Sequence, residues 1–154
     1  MAALGNTLAL DCATLTGWCV AVEGMITDYG ETALTHGEVT LWDFLVDITA
    51  KYNITRIVAE GIFYDRNVRT FQRLANYHGV INLFARQRGI ELITKGYQPT
   101  EWKRVLVGDA YATKEKVKRY VNGRLGKQIQ SDNTTDAIGI LVAWWKRQRS
   151  AVGK

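Results

Sequence analysis

The short apolar segment 56–60 constrains the fold more than any other feature of this sequence. Its interior residues predict a buried strand, and the apolar positions of the preceding segment, 39–52, recur at helical spacing. A strand reached through a helix favours parallel pairing with an earlier strand, because parallel neighbours need a long crossover connection. The first strand, near Leu8, is the candidate neighbour. The sequence therefore predicts an α/β fold.

Strand and helix patterns together predict ten elements in the order β-β-β-α-β-α-β-α-α-α. The first three strands form an antiparallel meander, and the fourth lies parallel to the first, so we expect a mixed five-stranded sheet flanked by helices. The predicted strands are 7–11, 16–22, 25–29, 56–60 and 90–95, and the predicted helices are 39–52, 68–87, 100–108, 113–121 and 131 or 132–148.

The length of 154 residues is typical of a single domain. We expect that domain to cover residues 1–149, with residues 150–154 as a flexible C-terminal tail. No apolar run reaches the roughly 18 residues of a membrane helix, and residues 1–10 lack the basic start of a signal peptide. Cys12 and Cys19 have no partner at zinc-ligand spacing, which favours reduced core residues. A cytoplasmic protein without a membrane partner is therefore expected.

Charge is distributed very unevenly along the chain. Residues 1–50 contain seven acids and no Lys or Arg, a net charge of −7, whereas residues 51–154 contain all 20 basic residues and eight acids, a net charge of +12. Such asymmetry indicates a basic surface that faces a polyanion, with nucleic acid as the leading candidate. The alternative is that the basic residues only keep the protein in solution.

Acidic residues stand where two strands of the predicted sheet end. Asp11 and Glu60 each close an apolar strand, and these strands are the expected parallel neighbours. Both carboxylates should therefore emerge at the edge where α/β sheets bind their ligands. The alternative is that both acids are simply solvated.

A second acidic group opens the last predicted helix. Asp132, Asn133 and Asp136 are spaced so that all three face one side of the helix, although Asp132 could instead be a helix cap. Carboxylate and amide oxygens are hard ligands that suit Mg²⁺ or Mn²⁺. Together with Asp11 and Glu60, these acids indicate two-metal phosphodiester hydrolysis.

Segments 10–18, 59–63 and 132–140 resemble the RuvC family of Holliday junction resolvases, in the short form found in bacteriophages, and the resemblance extends over about residues 7–148. It implies a RuvC-like nuclease domain with a ribonuclease H-like fold. It also implies a homodimer that resolves four-way (Holliday) DNA junctions by paired, Mg²⁺-dependent cuts, with Mn²⁺ as a possible substitute. The family's ligands fall on Asp11, Glu60, Asn133 and Asp136. Because the third position is usually Asp or His, either Asn133 or the preceding Asp132 completes the metal site.

The resemblance and the basic composition also suggest DNA contacts. The family inserts a Phe into the junction three residues after its catalytic Glu, and it carries a pair of functional lysines. Exposed aromatic rings among basic residues suit base stacking, although a Phe here could instead cover the core, and the lysines could lie on an ordinary solvated helix face. The candidate contacts are Phe63, Tyr64, Arg66, Arg69, Arg73, Lys103, Lys114, Lys116 and Lys118.

Two other functions fit the same residues. One is a nuclease of this fold with broader action on branched or flap DNA, or on RNA. The other is a DNA-binding module that has lost hydrolysis. The presence of Asp11, Glu60 and Asp136 favours an enzyme, because a binding module has no need of acids beside a basic surface.

Overall fold

A computed structural model describes residues 4–62 and 67–152 of the chain. Its elements follow the predicted order, strand for strand and helix for helix. They are β1 (Asn6–Asp11), β2 (Leu15–Val22), β3 (Met25–Ala33), α1 (Glu38–Tyr52), β4 (Arg56–Ala59), α2 (Val68–Arg88), β5 (Glu91–Ile93), α3 (Pro99–Val107), α4 (Lys114–Leu125) and α5 (Asp132–Val152).

The five strands form one mixed sheet in the order β3-β2-β1-β4-β5. Strands β1, β2 and β3 pair antiparallel, whereas β4 runs parallel to both β1 and β5. The predicted parallel pairing of β1 with β4 is confirmed, and Leu10 lies beside Ala59 in it. Asp11 and Glu60 therefore leave the sheet at adjacent positions.

Alternating residues of the central strands pack into two hydrophobic layers. Leu8 and Leu10 of β1 face α1 and α2, whereas Ala9 between them faces α3, α4 and α5. The second layer contains Trp102 and the apolar residues of α5, which packs directly on β1 and β2. This packing brings the first turn of α5 to the sheet edge that carries Asp11.

Some element ends differ from their predicted positions. Strand β3 continues to Ala33 rather than ending at Tyr29, because residues 30–33 pair with residues 15–18 of β2 although their sequence lacks a clear alternation. Helix α5 continues to Val152, four residues beyond its predicted end. Strand β5, at the sheet edge, has only three paired residues. Element boundaries depend on tertiary pairing, which local periodicity does not contain.

Both cysteines are free and buried, as expected for core residues. Burial raises the pKa of Cys12 to about 12, so its thiol is protonated and unreactive at neutral pH. Within the part of the chain that the structure describes, no helix combines the length and apolar character needed to cross a bilayer.

Candidate active site

Three acids from separate elements meet at the carboxyl-terminal edge of the parallel strands. Asp11 is the last residue of β1, and Glu60 directly follows β4. The main-chain N–H of Glu60 donates to the carbonyl oxygen of Leu10 at 3.0 Å, which anchors it beside Asp11. Asp136 comes from α5 and is close enough to affect the ionisation of both other acids. The structure thus brings together three acids that are far apart in the sequence.

Burial raises the pKa of all three carboxyl groups, and repulsion from neighbouring acids adds to the increase. Burial is the main cause in each case: the pKa of Asp11 rises well above its usual range, that of Glu60 to about 7, and that of Asp136 to about 6. Glu60 and Asp136 add to the increase at Asp11, and Asp136 adds to that at Glu60. Desolvated like charges of this kind are typical of functional sites, where a bound cation relieves the repulsion.

The chemistry of these donors fits a hard divalent cation. Within residues 4–62 and 67–152, no group of three or more Asp, Glu, His or Cys side chains is arranged to hold a metal ion by itself. Mg²⁺, however, usually keeps several waters and takes only one or two carboxylates, with substrate phosphates completing its shell. A partly open group of oxygen donors is therefore compatible with a metal that binds together with a phosphodiester.

The structure at the start of α5 gives Asp132 and Asn133 different surroundings. Ser131 is the helix cap, because its hydroxyl accepts the Thr134 N–H at 3.1 Å, so the capping alternative for Asp132 is wrong. The Asp132 carboxylate instead forms an ion pair with Lys118 at 2.7 Å. Asn133 follows it and carries a neutral amide, which cannot form an ion pair with Lys118.

Gly17 permits the close approach of α5 to the sheet. It pairs with Asp11 across β1 and β2, and a Cβ atom at this position would collide with the main-chain carbonyl of Asn133. Glycine within a strand is a recognised signal of such an approach. The main chain of Asn133 is thereby held against β2, at the residue that pairs with Asp11.

Two of the predicted lysines lie within electrostatic reach of the acids. Lys103 of α3 lowers the pKa of Asp11, Glu60 and Asp136, and Lys114 of α4 lowers those of Asp11 and Asp136. These effects are smaller than that of burial. The structure therefore brings basic side chains from two helices to the acidic edge of the sheet.

Three further predicted DNA-contact residues are described by the structure, and they differ in their partners and exposure. Lys116 pairs with Asp109 at 3.2 Å. Arg73 of α2 donates to the hydroxyl of Thr14, in the loop that follows β1, at 3.3 Å, and Arg69 is exposed in the first turn of α2. Phe63, Tyr64 and Arg66 lie outside the described residues.

A second basic region lies between α3, α4 and α5. It is a groove of about 570 Å³ with an apolar floor that includes Leu106 and Tyr120. Lys146 crosses it, donating to the Leu106 carbonyl oxygen at 2.8 Å with its ammonium 4.7 Å from the centre of the Tyr120 ring. The basic residues that line the groove are Arg104, Lys116, Arg119 and Lys146. The positive surface predicted from the composition thus extends beyond the acids.

Sequence reasoning missed one residue of the site. Trp102 of α3 is fully buried, and its indole Nε1 donates to Oε2 of Glu60 at 2.8 Å. A large aromatic residue directly before Lys103 was the only sequence signal, and it is equally typical of a core position. The contact depends on how α3 packs in the core, chiefly against α5, which local patterns do not reveal.

The raised pKa values predict an unusual pH dependence of stability. Between about pH 4.5 and 7, folded Glu60 holds a proton that the unfolded chain has lost, so the free energy of unfolding should fall as pH rises. We expect this decrease in metal-free protein and a smaller one in Glu60→Gln. Urea unfolding in EDTA at about pH 5 and about pH 7.5 measures both. Equal decreases in the two proteins would show that Glu60 does not hold the extra proton.

Comparison with known proteins agrees with this architecture. The family model described as "Crossover junction endodeoxyribonuclease RuvC" matches residues 16–144, a segment that contains Glu60 and Asp136 but starts after Asp11. Proteins of that name from Brachyspira hyodysenteriae and Heliobacterium modesticaldum are 31% and 30% identical over 105 residues, which cover 68% and 67% of this chain. The chain spans 64% of the length of each of these relatives.

Solved structures extend the likeness to nearly the whole chain. Thermus thermophilus RuvC has a TM-score of 0.79 at 19% identity, covering 95% of this chain and 96% of its own. The same protein in complex with a Holliday junction substrate also has a TM-score of 0.79, at 16% identity and with the same coverage. The predicted ribonuclease H-like fold is confirmed by these similarities.

Proposed function

This chain belongs to the RuvC family of crossover junction endodeoxyribonucleases, and we propose that it is a divalent-metal-dependent endonuclease that resolves four-way DNA junctions. One observation carries the proposal: Asp11, Glu60 and Asp136 meet at one sheet edge beside Lys103 and Lys114. Acids that bind metal and cations that bind phosphate are the two components that phosphodiester hydrolysis requires. The family and the junction complex of a structural relative support the same substrate class.

The carboxylates of Asp11, Glu60 and Asp136 would hold the metal, with Asn133 or Asp132 completing the ligand set. When bound, a pair of Mg²⁺ ions, or Mn²⁺ in their place, supplies an activated water and stabilises the leaving oxygen. Asp11, Glu60 and Asp136 are partly buried, so solvent screens their charges less and they attract a divalent cation more strongly than surface acids do. No covalent enzyme intermediate is needed for this chemistry.

The basic residues position the DNA. Lys103 and Lys114 would neutralise the scissile phosphate as it approaches the acids, because both ammonium groups already interact with Asp11 and Asp136. The DNA strands near the crossover would be contacted by residues of α2 and of the segment before it. These residues are Phe63, Tyr64, Arg66, Arg69 and Arg73. Lys116 and Lys118 would extend these phosphate contacts along α4.

Paired cleavage requires two copies of the site. A four-way junction is resolved by cuts in two opposed strands, and one chain carries one set of acids. We therefore propose a homodimer as the active species. Light scattering of the protein alone and bound to a junction measures its stoichiometry, and a single chain per resolved junction would contradict the dimer.

Incubation with labelled DNA tests the proposed function. Four-way, three-way, flap and duplex DNA, and RNA of matching structure, are compared in Mg²⁺, Mn²⁺ and EDTA. We expect symmetric cuts in the four-way junction with either metal and no cuts in EDTA. Equal cutting of flaps or RNA would instead indicate a broader nuclease of this fold. Binding without cutting in both metals would identify a silent DNA-binding module.

Junction binding should weaken steeply with salt. Each phosphate that a basic side chain neutralises adds about −0.9 to the slope of log K against log salt on duplex DNA. Lys114→Ala combined with Lys118→Ala should make this slope shallower. Each of the two lysines that binds a phosphate should account for a change of up to about 0.9. Fluorescence anisotropy over a range of NaCl concentrations measures the slope.

A matched pair of basic residues provides the control for the salt dependence. Lys51 lies in the last turn of α1, and Arg88 is the last residue of α2. These helices precede β4 and β5, so both residues are near the starts of those strands and not near the strand ends that carry Asp11 and Glu60. Lys51→Ala combined with Arg88→Ala removes the same charge and should leave the slope unchanged. A wild-type slope near zero would contradict nucleic-acid binding itself.

A further inference from the structure

We infer that Trp102 positions the Glu60 carboxylate for the metal, holding one of its oxygens with the indole N–H and leaving the other free to act as a ligand. The inference rests on the proposed function, since it assigns a role within that metal site. It concerns a buried aromatic residue that neither the sequence motifs nor the charge pattern identified.

The geometry fixes Glu60 at both ends. Its main-chain N–H donates to the Leu10 carbonyl oxygen at 3.0 Å, and its Oε2 accepts the Trp102 indole N–H at 2.8 Å. An indole N–H is a donor only, on a rigid ring, so it can orient a carboxylate but cannot compete for the metal. Oε1 is then the Glu60 atom available to the cation.

Gly139 of α5 provides the space for the indole ring. A Cβ atom at Gly139 would lie 3.0 Å from Cζ3 of Trp102 and 3.0 Å from Cδ2 of Leu106, closer than these atoms normally pack. Glycine is unfavourable inside a helix, so the room that it gives Trp102 is a physical reason for its presence. Because Gly139 lies one helical turn after Asp136, the same part of α5 carries one acid and seats the ring that orients another.

A second buried tryptophan allows a positioning role of Trp102 to be distinguished from a role in core packing alone. Trp144 of α5 is also buried, but its Nε1 has no hydrogen-bond partner among the residues that the structure describes. A buried indole N–H without an acceptor costs stability, yet this fold accommodates one at Trp144, so packing alone does not require the Trp102 N–H to face Glu60. Trp144→Phe is therefore the matched control for Trp102→Phe.

Manganese binding tests the inference without relying on cleavage. Mn²⁺ is titrated into DNA-free protein and the free ion is followed by electron paramagnetic resonance. Trp102→Phe should weaken Mn²⁺ binding about 10-fold or more, as expected when a group that orients a ligand is removed. Trp144→Phe should bind Mn²⁺ like the wild type. In junction cleavage, Trp102→Phe should need correspondingly more Mn²⁺ and regain most of its rate at saturation.

A shape-preserving replacement covers the case in which Trp102→Phe fails to fold. β-(3-Benzothienyl)alanine at position 102 keeps the bicyclic ring and replaces the N–H by sulfur. Wild-type Mn²⁺ affinity in this variant would overturn the inference, and wild-type cleavage would then leave the proposed function standing. A wild-type protein that neither binds Mn²⁺ nor cuts DNA would overturn the proposed function, and the inference with it.

Discussion

Replacing Glu60 by glutamine should abolish junction cleavage and leave junction binding intact or tighter. Glutamine keeps the size of the side chain, and its amide oxygen can still accept the indole N–H of Trp102. What disappears is the negative charge that we propose binds the metal, and that also repels Asp11 and Asp136. Cleavage in Mg²⁺ and affinity in EDTA are measured on one preparation with the same labelled junction.

Glu91→Gln is the matched control for this substitution. Glu91 opens β5 at the opposite edge of the sheet, where it pairs with Arg56 at 2.8 Å on the protein surface. Arg56 also donates to the Leu4 carbonyl oxygen and the Thr7 hydroxyl, so it keeps partners when Glu91 is neutral, and Glu91→Gln should cut junctions like the wild type. If Glu60→Gln weakened binding and cleavage equally, the carboxylate would have a structural role instead.

Local sequence patterns were sufficient to predict most of the sheet and part of the candidate site. Alternation separated Leu8 and Leu10 from Ala9, and the connection through α1 favoured a parallel pairing of β4 with β1, which the structure confirms. Those two facts are sufficient to place Asp11 and Glu60 at adjacent strand ends. Acids at the ends of parallel strands are therefore predictable because strand direction alone determines which edge they reach.

Interactions between helices were not predictable in the same way. Lys114, Lys116 and Lys118 look equivalent in the sequence, yet one interacts with Asp11, one pairs with Asp109 and one pairs with Asp132. These differences depend on how α4 is rotated and packed against α5. The Trp102 contact with Glu60 likewise depends on the packing of α3. Helix periodicity predicts a buried face but not the partner of each side chain on it.

Among substitutions in the first turns of α5, Asp136→Asn should be the most damaging to cleavage. Asp136 is largely buried, its pKa is raised to about 6, and it interacts with Asp11 and Glu60 as well as with Lys103 and Lys114. Its neutral replacement removes the charge of a proposed metal ligand. We expect loss of cleavage at any accessible Mg²⁺ concentration, measured beside unfolding curves that show a folded protein.

The contrast between Asp132 and Asn133 is resolved by the Mg²⁺ requirement of three further variants. The ion pair between Asp132 and Lys118 occupies the Asp132 carboxylate, which favours Asn133 as the fourth ligand. Asn133→Ala should therefore raise the Mg²⁺ concentration needed for half-maximal cleavage, and Asn133→Asp should lower it, because a carboxylate binds a divalent cation more strongly than an amide. Asp132→Asn should leave that concentration nearly unchanged. The reverse pattern, a higher requirement in Asp132→Asn and an unchanged one in Asn133→Ala, would show that Asp132 exchanges Lys118 for the metal when DNA and Mg²⁺ bind together.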